Sequence, residues 1–141
     1  MARHDPIIDH LTQVSLFSAC SRNDLRSIAR RAKDVRVAAG TTIVTEGDEG
    51  DEFFVILDGT ATVRRQGRKV TSIGPGTGFG ELALLVTALR NATVVADTDM
   101  ELVVVGRRDF VTMLDEVPGF ARKMLKGTAQ RLREADVRAI R

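Results

Sequence analysis

Glu81 and Arg90 are the two residues of this chain whose types and setting could do chemistry. Glycines stand at 76, 78 and 80, followed by the helix-forming run Glu81-Leu82-Ala83-Leu84-Leu85. A short helix that opens after a glycine-rich turn presents free N–H groups and a positive dipole end, which suits an anion. Arg90 then precedes a segment in which Ala92, Val94 and Ala96 alternate with other residues. A guanidinium at the mouth of an apolar strand needs a partner once it is covered, and a phosphate matches its fork. One arginine and one helix end suit a singly charged phosphodiester. They carry too little charge for a triphosphate with its metal ion, and no Gly-Lys-Ser/Thr loop is present. Glu81 would repel a phosphate, so it is left to accept a hydrogen bond from a neighbouring hydroxyl, as a ribose 2′-OH would supply. The other reading is a plain Glu81–Arg90 salt bridge at a turn. The residues alone leave both readings open.

The remaining polar residues offer less. Glu46, Asp48, Glu49, Asp51 and Glu52 crowd one turn without the spacing of an EF-hand, and read as a solvated acidic turn. His4 and His10 have no partner set for metal or catalysis. No nucleophile stands with a base, so no catalytic residue, no metal site and no cofactor are expected, and the chain does not read as an enzyme. Cys20, the single cysteine, excludes a disulfide within the chain and reads as a small buried apolar residue.

The elements that must position Glu81 and Arg90 follow from periodicity. Helical spacing of Ile7, Ile8, Leu11 and Val14, then of Leu25, Ile28 and Ala29 behind a Ser21 cap and Asp24, predicts helices over about 6–32. From about 34 to 106 the period changes to short β-rich runs: Thr42–Val44, Phe53–Leu57, Ala61–Val63, Thr93–Val95 and Leu102–Val105. Glycine turns separate them, as in a sandwich or barrel. Asp58-Gly59 and Gln66-Gly67 fit tight hairpins. C-terminal helices are predicted over about 107–139, with Phe110, Met113 and Leu114 on one and Pro118 opening the next. In the latter, Ala121, Leu125, Thr128, Leu132, Ala135 and Ala139 form a heptad-like seam that Gly127 interrupts at about 1 kcal/mol. The seam at Leu125 and Leu132 predicts a homodimer.

A length of 141 residues points to a single domain spanning 1–141. A net charge of +2 does not argue for nucleic acid. The basic run from Arg122 to Arg141 reads as a solvated helix face. No apolar run spans a membrane and the N-terminus lacks a signal peptide, so no membrane partner and a cytoplasmic location are expected.

Phe79-Gly80-Glu81-Leu82-Ala83-Leu84-Leu85, with Arg90-Asn91-Ala92-Thr93-Val94 after a short spacer, resembles the phosphate-binding cassette of the cyclic-nucleotide-binding domain family. That family includes catabolite activator proteins, regulatory subunits of cyclic-AMP-dependent kinase and nucleotide-gated channels. Upstream, the glycine-punctuated stretch from Gly40 to Gly59 resembles the family's other signature, and the likeness covers about residues 10–125. It implies a mainly β fold with flanking helices: a β jelly roll (double-stranded β-helix) with N-terminal helices and C-terminal lid helices. It assigns Glu81 to the ribose 2′-OH and Arg90 to the cyclic phosphate. The backbone N–H groups of Leu82 and Ala83 and the region of Ala92 complete the cradle, and the Thr93 hydroxyl contacts base or phosphate. Leu89 stands where the family often has proline. Asn91 stands where cyclic AMP binders often have alanine and many cyclic GMP binders threonine. The ligand implied is cyclic AMP, with cyclic GMP as the alternative. Tyrosine and tryptophan are absent, which leaves Thr128, Arg131 and Leu132 as candidate lid contacts to the base. The function implied is a ligand sensor whose C-terminal helix responds to binding and is read by a protein effector. The alternatives are a DNA-binding regulator of the catabolite-activator type and an interaction module with an empty pocket. After the lid helix no residues remain for a helix-turn-helix, so no nucleic acid is expected within this chain.

Overall fold

The computed structural model describes residues 4–80, 89–116, 119–127, 129 and 133. Two helices lead: α1 (His4–Thr12) and α2 (Arg22–Arg31), with a 3-10 turn at Ser15–Phe17 between them. Among the described residues eight strands follow: β1 (Lys33–Val37), β2 (Thr42–Val44), β3 (Glu52–Asp58), β4 (Ala61–Arg65), β5 (Arg68–Ile73), β6 (Gly78–Phe79), β7 (Thr93–Ala96) and β8 (Met100–Gly106). Then come α3 (Arg107–Glu116) and a helical stretch over residues 120–127, here α4.

The strands form two four-stranded antiparallel sheets, ordered β1-β8-β3-β6 and β2-β7-β4-β5, in a jelly-roll sandwich. The unbroken apolar runs of β3 and β8 are explained by their position, because both faces of their sheet are covered. Phe53, Val55, Val103 and Val105 pack with the helices, against Ile8, Leu11, Phe17 and Phe110. Phe54, Ile56, Leu102 and Val104 turn the other way, toward Ala61, Val94 and Ala96 of the second sheet. That second sheet has one wet face, so β7 alternates between buried and half-buried residues.

Gln66-Gly67 is a hairpin turn between β4 and β5, with φ of 52° and 76°, the double left-handed geometry of a type I′ turn. Asp58-Gly59 is not a hairpin. β3 pairs with β6 and β8, whereas β4 pairs with β5 and β7, so the chain crosses from one sheet to the other at this glycine. A turn dipeptide marks a reversal but not which strands pair across it.

Ser21 caps α2 in a capping box: its hydroxyl accepts from the Asp24 N–H at 3.2 Å, and the Asp24 carboxylate accepts from the Ser21 N–H at 3.0 Å. The same carboxylate accepts from Lys123 Nζ at 2.6 Å. Burial, followed by the neighbouring Asp24 carboxylate, pushes the half-buried Cys20 thiol up to about 12, so at neutral pH it stays protonated and inert.

Of the seam expected on the C-terminal helix, Ala121 and Leu125 are exposed, Leu125 by 70%, while Thr128, Leu132, Ala135 and Ala139 lie outside the described residues. Phe120, Met124 and Gly127 make the buried face of the helix. Gly127 is no interruption. A Cβ there would run into the backbone of Leu16, so glycine lets α4 lie directly on the 3-10 turn. A seam read from spacing identifies a stripe, and here the stripe toward the core is the neighbouring one.

Candidate functional site

Arg90 is delivered by a short backbone clamp. Its N–H donates to the Asp48 carbonyl at 2.7 Å and its own carbonyl accepts from Gly47 N–H at 2.9 Å. Leu89 bridges to Glu49 alongside. The acidic turn therefore packs along the arginine segment through its backbone and is more than a solvated loop.

The Arg90 side chain then crosses toward β3. Its Nη2 donates to the Glu52 carbonyl at 3.1 Å and its Nη1 makes a long contact of 3.5 Å to the Gly80 carbonyl. The guanidinium lies 5.7 Å from the Phe54 ring centroid, and Phe79 stacks on Phe54 at 4.9 Å with a 13° interplanar angle. Two glycines make room for it. A Cβ on Gly50 would fall on the guanidinium, and one on Gly80 (φ 86°) would meet Nη1 at 2.7 Å. Burial pulls the half-buried guanidinium below the ordinary arginine value, the Glu52 and Asp51 carboxylates raise it again, and Arg107 lowers it. Arginine has a high enough intrinsic value to remain a cation throughout. Among the described residues no carboxylate forms an ion pair with it, and its known partners are carbonyls, which orient without neutralising.

Beside Arg90 opens a cavity of about 240 Å³. Val44, Val63, Ala92 and Val94 supply its apolar wall together with Phe79. Gly78 and Gly80 line it as well, and Arg65, Arg90 and Asn91 are its polar side chains. A fixed cation next to an apolar wall is what an anion carrying a flat apolar group requires. A larger groove of about 380 Å³ lies elsewhere, among Arg36, Asp58, Asp99 and Glu101. Three carboxylates on its rim would repel a phosphate.

Of the residues singled out from the sequence, Phe79, Gly80, Arg90, Asn91 and Ala92 are brought together here. Thr93 is close by but on the opposite face of β7 from Ala92 and Val94, and its hydroxyl accepts from the Glu46 N–H at 2.9 Å. Glu81, Leu82, Ala83, Thr128, Arg131 and Leu132 lie outside the described residues. The sequence reading passed over Arg65, Val44 and Val63. Arg65 follows Val63 by two, so strand alternation carried the signal.

A family model described as "Cyclic nucleotide-binding domain" matches residues 34–117. The chain is 38% identical over 116 residues to the cAMP-dependent protein kinase regulatory subunit of Yarrowia lipolytica, a match over 82% of this chain and 28% of that protein. It spans about a quarter of the length of such curated relatives. Among solved structures it is similar to the regulatory domain of Toxoplasma gondii PKA crystallised with cAMP, at TM-score 0.74 and 30% identity over 79% of this chain and 44% of the other. It is also similar to the N-terminal domain of a transcriptional regulator from Streptomyces coelicolor, at TM-score 0.81 and 31% identity over 91% of this chain and 92% of the other.

Proposed function

We propose, from the premise that the chain belongs to the cyclic nucleotide-binding domain family, that it senses a cyclic nucleotide, cAMP before cGMP, and passes the signal on through its C-terminal helix. It is a regulatory domain similar to those of the kinase subunits. The observation that carries the reading is Arg90: a half-buried cation oriented by carbonyls, with no carboxylate ion pair among the described residues, at the rim of an apolar cavity.

In this reading Arg90 takes the cyclic phosphate, and the backbone at Gly80, Leu82, Ala83 and Ala92 surrounds it. Glu81 accepts from the ribose 2′-OH, since a carboxylate beside a phosphate is useful only toward a donor. Asn91 stands next to the base. Thr93 holds the Glu46 backbone and so fixes the arginine loop from behind. The preference for cAMP leans on the relative crystallised with it. Calorimetry with both nucleotides tests the reading. Micromolar or tighter binding of cAMP is expected, and absence of heat and of any thermal shift at millimolar ligand overturns it.

Thr128, Arg131 and Leu132 would cover the base, and a protein effector would read the helix position. A ligand moves such a helix only by its differential affinity for two positions. The exposed Leu125 supports self-association through the outer face of α4. Light scattering is expected to report a homodimer, and a monomer at high concentration excludes it. No described helix is long and apolar enough to cross a membrane, and a cytoplasmic setting fits the single, unpaired cysteine.

A further inference from the structure

Arg65 lines the same cavity from β4. Arg90 leans on β3 through the Glu52 carbonyl and Phe54, in the first sheet. Arg65 belongs to the second sheet, where its Nε donates to the Asn91 carbonyl at 3.0 Å. The two guanidiniums therefore reach the cavity from different sheets. One bond at Nε fixes the plane of Arg65 and leaves its Nη groups without a protein partner among the described residues.

A purine base bound between these walls needs a flat face to lie on. Tyrosine and tryptophan are absent from the chain. Phe17, Phe53, Phe54, Phe110 and Phe120 are buried. Phe79 is stacked on Phe54, on the side where Arg90 stands. A guanidinium held flat supplies such a face, because it is planar and stacks on aromatic rings. We propose that Arg65 is the platform for the base: the purine of the cyclic nucleotide lies against its guanidinium while Arg90 holds the phosphate. This rests on the cyclic-nucleotide reading above and adds to it which residue discriminates among bases.

The test is calorimetry of the full chain with cAMP, cGMP and cyclic CMP, for the wild type, Arg65→Met and Arg65→Lys. Methionine keeps an apolar stem without the plane, and lysine keeps the charge without the plane. Both variants are expected to weaken the two purine nucleotides about tenfold and cyclic CMP less than about twofold, since a pyrimidine offers less surface to stack. Their thermal unfolding should match the wild type. If all three ligands weaken equally, Arg65 acts only by holding the Asn91 carbonyl, and the platform is wrong. Unchanged affinities, or recovery with lysine, overturn it as well. A wild type that binds none of the three instead removes the reading on which the platform stands.

Discussion

Arg90→Leu should weaken cyclic nucleotide binding about a hundredfold while leaving the fold in place. The phosphate loses charge-assisted hydrogen bonds worth about 1.5–3 kcal/mol and is left partly desolvated without a counter-charge, which raises the total to about 3 kcal/mol. Folding is expected to tolerate the change. Among the described residues the arginine side chain bonds only to carbonyls at Glu52 and Gly80, and a leucine in its place has Phe54 and the apolar wall beside it. Calorimetry gives the affinity and a thermal melt gives the fold. A Kd within threefold of wild type would refute the role of Arg90. Gly50→Ala makes a second arm, because its Cβ would displace the guanidinium without removing its charge. A large loss there as well shows that position matters and not charge alone.

The site was readable from sequence wherever chemistry is local. Glycines, an expected helix start and an arginine within fifteen or so residues suggest an anion site with no tertiary knowledge, and of these Gly78, Gly80 and Arg90 do meet at one cavity. What was not readable arrives across the sheets. Gly50 and the Glu52 carbonyl, which hold the arginine, sit about forty residues before it and carry no side-chain signal for that task. The acidic residues around them dominate the local composition and point to solvent, yet it is their backbone that works. Arg65 comes from a third place in the chain and reaches the site by donating to the Asn91 carbonyl across the sheet.

The fold divides in a similar way. The buried strands β3 and β8 were plain because burial on both faces forces unbroken apolar runs. Lys33–Val37 and Arg68–Ile73 were not recognised as strands, since both lie at sheet edges and carry mostly exposed, polar or charged residues with just two apolar residues each. The partner of each turn and the buried stripe of α4 depend on what lies opposite. Periodicity sets which residues share a face, and only the neighbour sets which face is covered.

Asp24→Ala should lower stability by about 2 kcal/mol, the larger of the two losses available at this contact. One carboxylate, only 9% exposed, closes the α2 capping box and holds the Lys123 ammonium. The variant keeps the Ser21 cap but loses the bond from the Ser21 N–H to the carboxylate, about 1 kcal/mol, and the hydrogen bond from the charged Lys123 adds a comparable amount. Lys123→Met should cost less, because the capping box survives and the apolar stem can still pack. Burial by itself would raise the Asp24 carboxyl, but the bonds from Lys123 and from Ser21 outweigh it and hold the group below its ordinary value. The folded form therefore binds its proton less readily than the unfolded chain does. This contribution is complete above the ordinary carboxyl value of about 4 and is lost as the pH falls through the lowered one. Thermal melts from neutral pH downward should show wild type and Asp24→Ala converging in acid. A constant gap between the two curves would mean that the alanine acts through packing and not through the charge. Because the pair ties α2 to α4, the same melts measure how firmly the C-terminal helix is held to the helical layer.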